Sequence, residues 1–101
     1  MPTNMYAVVG AWTLAPGRWD EQLHGLHEQV VPRAREVPGL VAAYWLADQA
    51  AGKTQSLVIL EDEASARRFQ SLVEANPMNR EQAGVSLDSL KMMELVAEAH
   101  R

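Results

Sequence analysis

Three segments of the chain are apolar on both of the residue sets that alternate along an extended strand. They are residues 6–14 (YAVVGAWTL), 40–47 (LVAAYWLA) and 55–61 (QSLVILE). Successive side chains of a strand point to opposite faces of a sheet, so each segment would place apolar side chains on both faces. This pattern predicts buried strands and constrains the fold most, because something must cover each face of the sheet.

Helical periodicity separates these strands. Between residues 19 and 37 the apolar side chains recur three or four positions apart, which predicts a long amphipathic helix. Pro32 predicts a kink or a break in this helix, because proline lacks the backbone donor and crowds the preceding turn. Asp62 predicts the N-cap of a second helix, which residues 76–77 (NP) end.

Residues 85–96 (VSLDSLKMMELV) alternate in part, and their apolar positions also fit a helix. We predict a final strand here, which gives the element order β-α-β-β-α-β. This order is typical of the ferredoxin-like α+β fold, in which two helices cover one face of a four-stranded antiparallel sheet. Residues 1–101 are predicted to form this single domain, since a chain of this length is too short for two.

The second face of such a sheet usually meets water and is polar. Here it stays apolar whichever alternating set faces the helices. Exposing it would cost about 1.5–3 kcal/mol for each large side chain, against a net stability of about 5–15 kcal/mol for a whole domain. We therefore expect a homodimer in which two sheets stack face to face.

The charge and composition exclude several classes of function. A net charge of -4 opposes nucleic-acid binding, which needs clustered Lys and Arg. The chain has no cysteine, hence no disulfide, no thiolate nucleophile and no sulfur-ligated metal site. No run approaches the ~18 apolar residues of a membrane span, and the N-terminus lacks the pattern of a signal peptide, so a cytoplasmic location is expected.

Short strings at three junctions give the chain a family resemblance. They are residues 12–17 (WTLAPG) at the end of the first strand, 37–40 (VPGL) before the second strand, and 60–64 (LEDEA) before the second helix. In this order and spacing, the chain resembles the antibiotic biosynthesis monooxygenase group of the dimeric α/β-barrel superfamily, from about residue 6 to residue 96. The resemblance implies a homodimer with one pocket per subunit, between the sheet and its two helices.

Members of this group oxygenate aromatic polyketides or quinols without a metal or flavin, or bind and degrade haem. Neither catalytic set is matched in this chain. Where the polyketide-oxidising members have Asn, Trp and Tyr, this sequence has Ser56, Leu60 and Ala66. Where the haem-degrading members have Asn, Trp and His, it has Gly10, Phe69 and Asn79.

Several side chains are candidates for lining the pocket. Flat apolar walls with one or two polar contacts suit a planar organic ligand. The ligand-binding candidates are Trp12, Trp45, Ser56, Leu60, Phe69 and Asn79. Ordinary core packing is the competing explanation for the aromatic ones.

Three side chains are candidates for acid–base chemistry and anion binding. His27 lies about 60° from the centre of the apolar stripe of the first helix, where a general base can reach the pocket edge. Tyr44 or Arg80 would then hold the ligand anion. A boundary histidine and a solvated arginine fit the same positions. As a metal site, the pair His24 and His27 lacks a third His or a converging carboxylate at metal-ligand spacing.

Two functions remain open at this point. The resemblance implies a cofactor-independent monooxygenase that acts on an aromatic phenol, quinol or polyketide-like substrate. The absent catalytic residues favour instead a non-catalytic, small-ligand-binding dimer of the same fold. In both cases the expected partner, besides a second copy of the chain, is a small aromatic or apolar ligand.

Overall fold

The computed structural model describes residues 4–75 and 85–101 of the chain. The strands are β1 (Tyr6–Leu14), β2 (Leu40–Asp48), β3 (Lys53–Leu60) and β4 (Val85–Glu94). The helices are α1 (Trp19–Gly25), α2 (Val31–Arg35) and α3 (Glu63–Glu74), and a π-helical segment (Leu26–Val30) joins α1 to α2. This order confirms the predicted α+β ferredoxin-like fold, including its final strand. Within the described ranges, no helix has the length and hydropathy needed to cross a membrane.

All strand pairs are antiparallel, and their order across the sheet is β2-β3-β1-β4. Val8 of the central strand β1 lies opposite Val58 of β3 and Met92 of β4. Residues paired in this way share a face, so the register separates two faces of the sheet. The face that includes Val8 packs against α3 and is called the helix face here. The opposite face, which includes Val9, is called the outer face.

The hydrophobic core lies where α3 packs on the helix face. Its buried members, each at most 2% exposed, are Val8, Val58, Leu60 and Ala66. Asp62 precedes α3, and its Oδ1 accepts a hydrogen bond from the backbone N–H of Ser65 at 2.8 Å. This bond confirms the predicted N-cap, which fixes where the helix begins above the core.

The helix after β1 is interrupted one turn earlier than the sequence predicted. The π-helical segment precedes Pro32, and within it the Val31 N–H donates to the carbonyl of Leu26. Pro32 cannot donate a backbone hydrogen bond, and its ring crowds the carbonyl one turn before it, so the adjustment falls in that turn. The chain then stays helical through Pro32 to Arg35.

The outer face of the sheet is largely apolar and open in a single chain, with Lys91 of β4 as a charged side chain opposite Val9. Tyr44 and Leu46 of the edge strand β2 are 52% and 55% exposed, and Met93 of β4 is 49% exposed. Leu57 and Ile59 of β3 continue the apolar surface between these strands. This is the second apolar face that the sequence predicted.

Candidate functional site

A polar side chain in the middle of the helix face marks the candidate site. In the register, Ser56 of β3 lies between Trp45 of β2 and Gly10 of β1. Ser56 is 8% exposed, and Leu90 of β4 continues the same row across the sheet. One hydroxyl among apolar neighbours is the arrangement expected of a site that binds an apolar ligand through few polar contacts.

Trp12 is tied to this row by a hydrogen bond between two strands. Its Nε1–H donates to Ser56 Oγ at 3.1 Å. The contact depends on Gly10, because a Cβ there would lie 2.7 Å from both Trp12 Nε1 and Ser56 Oγ. The indole therefore fills the volume above Gly10, and the three residues form one unit.

The first helix does not close down on this part of the sheet. Its first residue, Trp19, lies near Leu14 at the end of β1, and Val37, just after α2, packs against the core. Helix α2 buries Ala34, whereas neither α1 nor the π-helical segment contains a buried residue. Trp19 and Leu23 of α1 remain half-buried. Both pieces therefore pack only loosely on the rest of the described chain.

The structure brings together three of the predicted ligand-binding residues and places two others elsewhere. Trp12, Trp45 and Ser56 share one region of the helix face. Leu60 is fully buried in the core, and Phe69 of α3 packs against that core. These two side chains belong to the core beneath α3.

Of the predicted catalytic residues, the two that the structure describes lie apart. Tyr44 precedes Trp45 on β2, and consecutive side chains of a strand point to opposite faces. Tyr44 therefore lies on the outer face, where it is 52% exposed. His27 lies in the π-helical segment and is exposed. Arg80, like the ligand-binding candidate Asn79, lies outside the described residues.

The ionisable groups on the described part of the helix face lie at the far end from Trp12. They are Tyr6 of β1 and Glu94 of β4, which are paired in the register. Burial is the main cause that raises the pKa of Tyr6, and the carboxylates of Glu63 and Glu94 raise it further. The row at Trp12 and Ser56 is therefore uncharged, as far as the described strands define it.

Metal binding finds no support in residues 4–75 and 85–101. No three His, Asp or Glu side chains in these ranges come close enough together to hold an ion. Where the structure is described, the donor set for a resident metal is missing.

A groove of about 440 Å³ opens at the end of the sheet beyond Trp12. The β1–α1 and β2–β3 turns form its walls, and Leu14, Trp19 and Gln49 are among the residues that line it. Leu14 follows Trp12 on the helix face, so the groove adjoins the candidate site on its solvent side. No sequence motif marks this groove, because small turn residues form most of its walls.

Comparisons with known proteins define the fold. No protein-family model matches the chain, and no curated protein matches it. Among solved structures, a protein of unknown function from Nitrosomonas europaea matches with a TM-score of 0.72 and 18% identity, over 100% of this chain and 98% of that one. A candidate antibiotic biosynthesis monooxygenase from Chloroflexus aurantiacus matches with a TM-score of 0.67 and 17% identity, over 95% and 97%. A monooxygenase from Streptomyces coelicolor, in complex with nanaomycin D, matches with a TM-score of 0.59 and 18% identity, over 99% and 92%.

These structural likenesses extend over nearly the whole chain. At such low identity they establish the fold, and substrates do not transfer with it. The neighbours include proteins of the antibiotic biosynthesis monooxygenase group and others of unknown function. The chain therefore has the ferredoxin-like fold of antibiotic biosynthesis monooxygenase proteins, and these neighbours support the family resemblance of its sequence.

Proposed function

We propose that this chain is a cytoplasmic, homodimeric, cofactor-independent monooxygenase of the antibiotic biosynthesis monooxygenase family, with residues 1–101 as its single domain. Its substrate is an aromatic phenol, quinol or polyketide-like molecule. The substrate lies between the helix face and α1, with Trp12 and Trp45 as apolar walls and Ser56 as the polar contact. The observation that carries the proposal is this uncharged aromatic row on the helix face, in which Trp12 Nε1–H donates to Ser56 Oγ at 3.1 Å between Trp45 and Gly10.

Two lines of support favour an aromatic ligand. Planar rings pack well on indole faces, and a site with one hydroxyl and no charge suits a ring system with few polar atoms. The Streptomyces coelicolor monooxygenase of the same fold holds the ligand nanaomycin D, a precedent for small-molecule binding in this architecture.

The proposed reaction needs a base, molecular oxygen and a site that excludes water. With an anthrone-type substrate, His27 removes a ring proton, and the resulting carbanion passes electrons to oxygen. The ring CH₂ becomes C=O, and the second oxygen atom leaves as water, so the substrate supplies all four electrons. Arg80 is the proposed partner of the anion, whereas Tyr44, on the outer face, is assigned to contact with a second copy.

Oxygen consumption tests this proposal directly. Anthrone and dihydroxynaphthalenes serve as substrates, and quinone formation is followed by absorbance in parallel. We expect protein-dependent oxygen uptake, and we expect His27→Gln to lower its rate by about 10²-fold or more, the usual contribution of a general base. His24→Gln is the matched control, because His24 is an exposed histidine one turn earlier on α1. Uptake no faster than in buffer with every substrate would contradict the proposal.

The homodimer is supported by the outer face. In a single chain this face leaves Tyr44, Leu46 and Met93 about half exposed. A contiguous apolar surface of this kind marks an interaction site in a stable protein. A second copy stacked face to face covers it with the same surface, as a twofold axis requires.

Polar side chains border this apolar area at one end of the sheet. Lys53 Nζ donates to Thr13 Oγ1, and Thr13 Oγ1 donates to Asp88 Oδ2, both at 2.6 Å. An apolar centre with a polar rim is the usual anatomy of a protein–protein interface. Exposed Lys91 of β4 lies opposite Val9 on the same face, so the apolar area is widest over β2 and β3.

One observation favours a second candidate, a non-catalytic ligand-binding dimer. On the described part of the helix face, no ionisable side chain lies near Trp12 and Ser56, so the sheet offers neither a base nor an acid. This candidate predicts that anthrone raises the melting temperature without oxygen uptake, because a ligand that binds the native state alone stabilises it. Turnover above the buffer rate would contradict it.

A further inference from the structure

Gly10 allows Trp12 to reach across to Ser56. A Cβ at Gly10 would lie 2.7 Å from Trp12 Nε1, 3.1 Å from Trp12 Cε2 and 2.7 Å from Ser56 Oγ. The indole thus occupies the position that a side chain of residue 10 would fill, with its nitrogen beside the serine. Any larger residue at position 10 would displace the indole or the hydroxyl, because contacts under 3.0 Å are not tolerated by a Cβ.

The hydrogen bond between Trp12 and Ser56 has a fixed direction. An indole N–H can only donate, so Ser56 Oγ is the acceptor in this 3.1 Å bond. A hydroxyl that accepts one hydrogen bond still carries its own hydrogen, and accepting makes it a stronger donor. Ser56 is 8% exposed in the single chain, so it is not completely closed off from solvent.

We propose that Trp12 and Ser56 form a two-step hydrogen-bond relay that recognises a ring carbonyl or phenolate oxygen of the ligand. Trp12 Nε1–H donates to Ser56 Oγ, and Ser56 O–H donates to the ligand oxygen. Gly10 determines this specificity, because it provides the space that the relay needs. The inference rests on the binding site of the proposed function and adds the chemistry that the site selects.

The relay distinguishes ligands of the same shape. A ring system without an oxygen atom would fill the apolar space but would leave the Ser56 hydroxyl without an acceptor, and an unmade hydrogen bond of a buried group is costly. A ligand whose only polar atom is a donor gains less, because it leaves the Ser56 O–H without an acceptor, even though the second lone pair of Ser56 Oγ can still accept from it. The expected ligand is a flat ring with an acceptor oxygen on its edge.

Two probes of closely similar shape test the relay. Anthrone carries a ring carbonyl, and 9,10-dihydroanthracene has the same three fused rings without it. Binding to the full chain is followed by tryptophan fluorescence in the absence of oxygen, so that no turnover interferes. The wild-type protein is expected to bind anthrone about two- to tenfold more tightly than 9,10-dihydroanthracene, the usual effect of one net hydrogen bond.

Variants separate the relay from simple packing. Ser56→Ala and Gly10→Ala are expected to abolish the preference for anthrone. Trp12→Phe is expected to reduce it less, because Ser56 keeps its hydroxyl and loses only the N–H that polarises it. Ser89→Ala is the matched control, since Ser89 is an exposed serine on the outer face of the same sheet; it is expected to keep the wild-type preference.

The NMR signal of the Trp12 indole N–H gives a second readout, which would not respond to the ligand if the Trp12–Ser56 bond were purely structural. This NMR signal is identified by its loss in Trp12→Phe. In the wild type it is expected to shift when anthrone binds and to change much less with 9,10-dihydroanthracene. In Ser56→Ala it is expected to lose its protection from hydrogen exchange.

The outcomes separate failure of the relay from failure of the site. Equal binding of the two probes by the wild type, or an unchanged preference in Ser56→Ala, overturns the relay and leaves the binding site standing. If Ser56→Ala does not fold, an unchanged preference in Trp12→Phe overturns it instead. Binding of neither probe by the wild type overturns the proposed binding site and the relay with it.

Discussion

The carboxylate of Asp62 caps the N-terminus of α3. Its Oδ1 accepts the Ser65 N–H at 2.8 Å. This backbone hydrogen bond is the main cause that holds the pKa of Asp62 below its ordinary value of 3.8, and a hydrogen bond from the Ser65 side chain lowers it further. Because the pKa is lower in the folded state, ionised Asp62 stabilises the fold above the ordinary pKa, and this contribution is lost as the pH falls through the lowered value.

Replacement of Asp62 tests this role. Asp62→Ala is expected to lower the melting temperature at neutral pH by about a few degrees, because the first turn of α3 loses its cap. Asp62→Asn is the matched control, since an amide oxygen caps a helix without titrating. Thermal melts from neutral pH down to about pH 2 are expected to show a smaller acid-induced loss of stability for Asp62→Asn than for the wild type. Identical pH profiles for these two proteins would contradict the assignment.

The candidate site was predictable only in part from single residues. The sequence makes Trp12, Trp45 and Ser56 ligand-binding candidates, and the structure places them together on the helix face. The importance of Gly10 depends on how the indole of Trp12 is turned, which residue spacing does not specify. Tyr44 was a catalytic candidate beside Trp45, but a one-residue difference along a strand changes the face, and the sequence left open which alternating set faces the helices.

The helix after β1 is the least packed element near the candidate site. Gly25 ends α1, the π-helical segment follows, and neither of these two pieces buries a residue. A segment with so few buried contacts opens locally at a low cost in free energy. The proposed function places the ligand against this weakly packed element.

Gly25→Ala tests the helical geometry at this point. Gly25 has helical angles, φ -61° and ψ -38°, and open space where a Cβ would lie. The free energy of unfolding is expected to rise by about 0.5–1 kcal/mol, because alanine loses less conformational entropy in a helix. Urea unfolding at a fixed protein concentration measures the change.

Gly17→Ala is the matched control for this variant. Gly17 has the same open space but a φ of +79°, which L residues rarely adopt. Its free energy of unfolding is expected to fall by about 1–2 kcal/mol. Changes of the same sign in both variants would contradict the two backbone conformations.

Most elements were predictable, because their patterns are local. The first strand, the cap of α3 and the order of the elements all follow from alternation, helical spacing and Asp62. The final strand was ambiguous, since the apolar positions of residues 85–96 fit both periods, and pairing with β1 decides in favour of a strand. The interruption near Pro32 was predicted, but its placement in the preceding turn depends on how the backbone relaxes around the ring.

The whole molecule is organised around a sheet that is apolar on both faces. The helix face carries the core at one end and the candidate site at the other, while the outer face carries exposed Tyr44, Leu46 and Met93. A single copy leaves the outer face in contact with water. The proposed division gives the ligand one face and a second copy of the chain the other.

A charge on the outer face is expected to dissociate the dimer. Leu46→Glu places an unpaired carboxylate in the proposed interface, which should weaken association by about tenfold or more. Leu72→Glu is the matched control, because Leu72 is 55% exposed like Leu46 but lies on α3. Size-exclusion chromatography over a dilution series compares the two variants. If both variants dissociate equally, or if neither dissociates, the assignment of the outer face is contradicted.

Sedimentation velocity of the wild-type chain at micromolar concentration tests most directly whether a second copy covers the outer face. The proposed architecture predicts one species with twice the 11.2 kDa mass of the chain. A well-folded species of 11.2 kDa would contradict it, because the outer face would then be stable in water without a partner.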